Sequence, residues 1–449
     1  MAGGTWTAQN KVRPGIYINF RSAEDNEINI GTRGTVAICE PMSWGPVGAV
    51  KRVPAEELLS PGGAVPYCGY DITAPQARFL REILKGTDRT PAPTTILLYR
   101  PAASSSAQAE AEISPLTVTA KYPGARGNGI SIAILAGEAS TFTVNTIVDG
   151  DIVDSQTAAT ADTLVPNDWV EFSGTGALSA NSGTALSGGA DGTVQAAAYT
   201  TFLQNIEPYR FDILIYDGSD TSTLSAMADF VKRLCEEEGQ YCQLCAAGFS
   251  TAPDSRYVIE VASGAVLEDG TTLTPQQVCW WAGGAQAGAG SNQSLTYASY
   301  PGAADVSPRM TSAQIEAALR AGKFLLFEEN GRVRVEEDIN SLTTFTADIH
   351  EAFHKNRVMR LCNAIANDLY TEFSDNYIGV VNNNETGRGL FKSAIVSYLL
   401  TLQGSEAIQN FDADDVEVLP GQSIDSIVIN LAVQPVDAVE KIYMTVTVM

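Results

Sequence analysis

The sequence predicts an α/β and β multi-domain protein, with an α/β core layer, an inserted all-β module and a C-terminal α+β domain. Three observations lead there. Apolar runs of strand length alternate with runs of helical period over residues 33–101 and again over 195–344, as in helices layered on a sheet. Between them, residues 102–194 turn poor in charge and rich in Thr, Ser, Gly and Val, with period-two patterning. Both ends of the chain carry strand patterns set off by short polar joints.

Taken in order, residues 1–10 are small and polar and read as flexible. Lys11-Val-Arg-Pro-Gly-Ile-Tyr-Ile-Asn-Phe20 is a short strand opened by a Pro-Gly turn, with Ile16, Ile18 and Phe20 on one face. Polar residues 21–27 separate it from a buried strand at 34–39. Phe79, Leu80, Ile83 and Leu84 have helical spacing within 75–84, Gly86 closes that helix, and 94–99 is another buried strand. A linker-like stretch from Ala102 leads into the module, whose short strands fall at 116–120, 130–135, 142–148 and 169–172.

The α/β pattern resumes with a strand at 211–216 and a helix at 224–238, where Met227, Phe230, Val231 and Leu234 share a face. Strands at 243–247 and 255–262 follow, then a helix at 275–283 leading into a Gly/Ala-rich run. A helix at 311–321 precedes a hairpin at 324–335, turned at Asn330-Gly331. The last hundred residues hold a long helical pattern from about 346 to 373, a helix near 390–404 and an acidic stretch at 411–417.

At the end, Ile427, Ile429, Leu431 and Val433 alternate with Val428, Asn430, Ala432 and Gln434. After Pro435, Ile442, Met444, Val446 and Val448 alternate with Tyr443, Thr445 and Thr447. Period two with β-branched residues predicts two strands. The second runs to the last residue with no polar tail, so it pairs in its own sheet or offers its edge to another chain.

The net charge of -24 argues against general affinity for DNA or RNA, whose phosphates demand Lys and Arg. Seven scattered cysteines are no disulfide framework and point to synthesis in a reducing cytoplasm. The N-terminus lacks an apolar h-region and no long apolar run appears, so neither a classical signal peptide nor a membrane span is expected.

Candidate chemistry is thin. His350-Glu-Ala-Phe-His354 is a literal H-E-x-x-H, and on a helix both imidazoles would face one Zn²⁺ with Glu351 activating water. A third ligand would have to be a carboxylate such as Glu372 or Glu385, because no other histidine exists. The flanks are polar, unlike the buried floor of a peptidase cleft, so a zinc peptidase is the alternative reading and not the first one. Cys242-Gln-Leu-Cys245 lies within an apolar run and reads as buried strand cysteines. The Gly283–Gly290 run lacks the Gly-Lys-Ser/Thr of a phosphate loop, and small residues at close contacts explain it better. Asp412, Asp414 and Asp415 lack the spacing of a Ca²⁺ loop.

Several ordered blocks resemble contractile tail sheath proteins of phages and phage-derived particles of Gram-positive type. They are Lys11-Val-Arg-Pro-Gly-Ile-Tyr-Ile-Asn-Phe20; the Gly/Ala-rich segment from Ala282, with Asn292-Gln-Ser-Leu-Thr-Tyr297; Phe345-Thr; Lys355-Asn-Arg-Val-Met-Arg360; Ala364-Ile-Ala-Asn-Asp368; and Val433-Gln-Pro-Val-Asp-Ala-Val-Glu-Lys-Ile-Tyr-Met-Thr-Val446. The resemblance implies a structural protein of a virion or an R-type bacteriocin-like particle, without catalytic, cofactor or metal residues, nucleic-acid contact or membrane insertion. It implies self-assembly as stacked hexameric rings around an inner tail tube, with baseplate and tail terminator proteins as further partners.

It further implies an N-terminal arm at 1–32, a core at 33–101 and 195–344, an outward-facing inserted β module at 102–194, and a tube-facing α+β domain at 345–449. Terminal strands would then pair with neighbouring subunits. The expected intersubunit residues are Val12, Ile16, Ile18 and Phe20 at one end, and Ile427, Ile429, Leu431, Val433, Ile442, Met444, Val446 and Val448 at the other. Residues 21–27 and 434–437 are the expected hinges.

Overall fold

The computed structural model describes residues 2–4, 15–17 and 33–448. Their contacts separate into a larger unit, residues 33–367 with 435–448, and a smaller one, residues 368–434 with the two N-terminal strands.

The larger unit is built on a seven-stranded sheet. Its strands are β1 (Thr35–Cys39), β2 (Val50–Pro54), β3 (Thr95–Tyr99), β4 (Ile213–Tyr216), β5 (Gln243–Ala246), β6 (Val258–Val261) and β7 (Lys323–Phe324). The order is β7-β6-β5-β4-β1-β3-β2, parallel except for β2, which runs antiparallel to β3 at one edge. Parallel strands need crossovers, and the crossovers cover both faces, which is why β1, β3 and β4 read as nearly continuous apolar runs. Helices α1 (Arg78–Ile83), α2 (Ala196–Ile206), α3 (Thr221–Glu236) and α4 (Pro275–Gly288) supply that cover. Val36, Ile38, Ile96, Leu98, Ile213 and Ile215 pack with α1 and α4, whereas Ala37, Leu97, Tyr99, Leu214 and Tyr216 pack with α2 and α3. The period of two along each strand thus divides one sheet between two cores.

Asp220 caps α3 by accepting the Thr223 N–H at 2.7 Å, and Thr274 with Gln277 forms a capping box on α4. Helix α4 continues past residue 283, where the sequence reading ends it, to Gly288. A Cβ on Gly284 would sit 2.0 Å from the Ile83 carbonyl oxygen, and one on Gly288 2.1 Å from that of Pro91. The glycines that weaken the helix locally let it approach other backbone, and tertiary contact wins over propensity.

The all-β module leaves and rejoins the α/β layer through a two-stranded neck, Ala103–Ser104 against Thr193–Val194. One sheet runs Asp151–Ala158, Phe142–Val148, Ile130–Ala136, Asn181–Ala185; the other runs Val170–Gly174, Leu116–Ala120, Glu110–Ile113. Leu116, Val118, Ile130, Ile132, Ile134, Val144 and Val170 fill the sandwich, and Trp44 reaches in from the β1–β2 connection. Strand β2, helix α2 and a three-stranded sheet around Gly264–Leu267 are additions the sequence reading lacks. The hairpin Leu326–Glu329 with Arg332–Val335 turns at Asn330 and Gly331, both at positive φ, as the Asn-Gly signal predicts.

Helix α5 (Asn356–Asn376) begins in the larger unit and ends in the smaller. In the smaller unit, α6 (Glu385–Gly404) is capped by Asn384. Strands β8 (Val416–Pro420) and β9 (Ile427–Leu431) form a two-stranded antiparallel sheet. Ile395, Tyr398, Leu402 and Val416 are buried here, and the Tyr398 hydroxyl donates to Asp368 at 2.7 Å. The strands Ala2–Gly4 and Gly15–Tyr17 pair in parallel.

Candidate functional site

The H-E-x-x-H pair does not lie on an α-helix. Residues Glu351–His354 form one 3₁₀ turn and α5 starts only at Asn356, so the helical pattern read from about 346 is corrected to a later start. A 3₁₀ turn repeats every three residues, and positions four apart leave the shared face that zinc needs. The cause is competing bonds. Asp254 accepts the Thr343 and Thr344 N–H groups at 2.6 and 2.9 Å, and the Asn340 N–H donates to the His354 carbonyl at 3.0 Å. His354 Nδ1 sits 2.5 Å from the Leu342 carbonyl oxygen, and burial holds the ring below its ordinary pKa, while His350 is exposed. The zinc-peptidase alternative loses its scaffold.

Cys242 and Cys245 are buried at β5, as strand cysteines should be. Asp412 caps the turn Ala413–Asp415 by accepting the Asp414 N–H at 3.0 Å, so that acidic group serves its own loop.

What the structure gathers instead is a buried polar hub in the larger unit. Asp338 Oδ1 accepts from Gln286 Nε2 at 2.7 Å and from Asn356 Nδ2 at 3.0 Å. Its Oδ2 accepts from the Leu295 N–H at 3.0 Å and from Arg360 at 2.8 Å. Arg360 also donates to Gln286 Oε1 and, at 2.5 Å, to the Gln293 carbonyl. Burial alone would raise the Asp338 carboxyl, but the Arg360 charge and four donors outweigh it and hold it below the ordinary range. A buried ion is tolerated when its lone pairs are filled, and here they are. The hub ties the end of α4, the 292–297 turn and the start of α5 together.

The root of the C-terminal segment attaches beside it. Glu440 Oε1 accepts the Thr296 hydroxyl at 2.6 Å, and Oε2 pairs with Lys355, which also pairs with Glu337. A cavity of about 510 Å³ lies between this root and the 292–297 turn, lined by Arg89, Asn292, Tyr297, Arg357 and Val439 among others. Among the described residues beyond Glu440 none joins a ladder, and Ile442, Tyr443 and Val448 are 77%, 92% and 90% exposed.

Of the residues singled out by sequence, Ile427, Ile429 and Leu431 stand half-buried on β9, paired with Pro420, Val418 and Val416 of the same chain. Val433 is half-buried just beyond β9. Ile442, Met444, Val446 and Val448 are exposed and without a ladder. Ile16 lies in Gly15–Tyr17, while Val12, Ile18, Phe20 and the joint at 21–27 fall outside the described residues. Sequence reasoning missed the roles of Thr296, Asp338, Lys355 and Glu440. Three of these stand inside blocks that carry the resemblance, and that co-occurrence was the available signal.

Comparison with known proteins agrees. Residues 104–191 match the phage tail sheath protein beta-sandwich domain, 192–341 the central domain, and 348–449 the phage tail sheath C-terminal domain. The chain is 36% identical over 485 residues to the phage-like element PBSX protein XkdK of Bacillus subtilis (strain 168), covering 100% of both. It is 41% identical to the crystal structure of the sheath tail protein of Desulfitobacterium hafniense, with a TM-score of 0.86 over 96% of this chain and 99% of that one. The helical sheath of the anti-feeding prophage, solved in a contracted state, shares the fold at 13% identity, with a TM-score of 0.59 over 97% and 99% of the two chains. The chain therefore belongs to the phage tail sheath protein family, as a structural and non-enzymatic subunit.

Proposed function

We propose that this protein is the repeating subunit of a contractile sheath, polymerising as stacked hexameric rings around an inner tail tube between a baseplate and a terminator. It is made in the host bacterial cytoplasm and assembles in a metastable extended state. A trigger then lets the rings rotate and expand, driving the tube through a cell envelope. In this reading residues 1–32 are an arm, 345–449 the tube-facing domain and 102–194 the outward module.

One observation carries the reading: residues 442–448 alternate as a strand yet expose Ile442, Met444, Val446 and Val448. Such a stretch gains its hydrogen bonds and burial by adding to a sheet edge of a second copy. An acceptor is available in the same chain type. The β8–β9 sheet has two strands, and a groove of about 390 Å³ beside it is lined by Phe373, Tyr377, Phe391, Ile427 and Ile429. The likeness in fold to a sheath solved contracted supports the switching part of the reading.

The test is electron microscopy of the full chain and of a chain ending at Lys441, assembled on tail tubes. The full chain should form ridged tubes of two diameters, extended and contracted. The shortened chain should melt at the same temperature and form none. Normal tubes from the shortened chain would overturn the role of the tail, and a single diameter under every condition would overturn contraction.

A further inference from the structure

The C-terminal segment is not free along its whole length. Among the described residues of 436–448, Glu440 is the one whose side chain is tied to the body by hydrogen bond and ion pair, and its side chain is only 12% exposed. Val439 and Ile442 are 83% and 77% exposed while Val436 and Ala438 are half-buried, so Glu440 is the outermost tie of this stretch. The segment therefore divides at residue 440 into a seated root and a loose tail.

The partners of Glu440 are arranged so that it can leave. Lys355 is shared with Glu337, so its ammonium keeps a carboxylate when Glu440 departs. Thr296 Oγ1 also accepts the Asp338 N–H at 2.9 Å and keeps that bond. No buried charge is stranded, and a stranded charge is what makes most partly buried ion pairs costly to open. The contrast is Arg360 with Asp338, where losing either partner leaves the other uncompensated in the interior. Burial alone would pull Lys355 down, yet the two carboxylates hold it above its ordinary value, so it is charged with the latch closed.

We propose that Glu440, seated on Lys355 and Thr296, is a releasable latch that stores residues 435–440 against their own subunit and lengthens the C-terminal arm when it opens. With the latch closed, the arm pivots at Lys441. With it open, the pivot moves back to residues 434–437, and the added chain spans roughly 20 Å at ~3.4 Å per residue. The inference rests on the sheath reading, in which expansion of the rings moves neighbours apart while the arms keep them joined. The latch is closed in the free subunit and the extended sheath and open in the contracted one. Its function is to supply slack at the moment of switching.

Glu440→Gln keeps the shape and removes the charge at a position outside the hydrophobic cores, so folding is not at issue. In the isolated full-length subunit, amide exchange at 436–440 should quicken at least tenfold, with β4 and β5 unchanged. Unchanged exchange at 436–440 would overturn the latch. In sheaths assembled on tubes, the variant should contract at a lower guanidinium concentration than the parent, and Lys355→Met should shift the threshold in the same direction. Quickened exchange with an unshifted threshold would overturn the part played in switching. If the parent chain itself forms no tubes, the sheath reading fails, and the exchange result still decides whether the latch exists.

Discussion

Arg360 and Asp338 are 0% and 2% exposed, and each holds the other's charge in the interior. Replacing Arg360 with Met leaves the carboxylate uncompensated and should cost about 3–5 kcal/mol, read as a lowered denaturation midpoint. A second titratable site lies where adjacent parallel strands β1 and β4 end, at Glu40 and Asp217. Asp217 accepts the Trp280 indole N–H at 2.9 Å. Burial, then the Asp217 charge and hydrogen bond, raise Glu40 well above its ordinary value. A raised acid contributes its full stability below the unfolded pKa of about 4.3 and loses it as pH climbs toward the folded one. Glu40→Gln cannot ionise, so it should melt higher than the parent at pH 7 and show no such gain at pH 4, by calorimetry at both. At this scale the sequence was least legible. Gln286, Asp338, Asn356 and Arg360 are scattered polar residues in the string, and only the folded chain shows that they share one carboxylate.

Elements were easier. The five interior strands of the seven-stranded sheet announce themselves through short, largely apolar runs, because a strand covered on both faces needs no polar side, whereas the edge strand β2 carries Lys51 and Arg52 and gives no such signal. Two misreadings have a common cause. Helix α4 outlasts its apolar pattern because glycine allows proximity to Ile83 and Pro91, and the stretch at 346–355 fails to become helix because Asn340 and Leu342 claim the polar groups of His354. Both are tertiary contacts that no local window contains. The first is testable with a matched pair. Gly284→Ala should lose about 1–3 kcal/mol through overpacking, despite the better helix former. Gly389→Ala in α6 meets open space and should gain about 0.5–1 kcal/mol in the same denaturation assay.

Over the whole molecule, a net charge of -24 opposes the meeting of copies whose tails expose apolar side chains. Screening should tip that balance. Raising ionic strength from 0.01 to 0.15 M shortens the Debye length from about 30 to about 8 Å, so light scattering should show assembly starting at a lower protein concentration. Composition disclosed this repulsion. The pattern of β9 was legible and is paired within the chain, whereas residues 442–448, patterned as a strand, join no ladder in it.

The loose tail and the two-stranded β8–β9 sheet sit on one polypeptide, and that has a consequence for inheritance. In the proposed assembly every copy is both a plug and a socket. A copy shortened at Lys441 keeps the socket and lacks the plug, so it enters a growing polymer and ends it. Such an allele would be dominant: a cell making a minority of shortened chains would build stunted particles, with their lengths set by the mixing ratio.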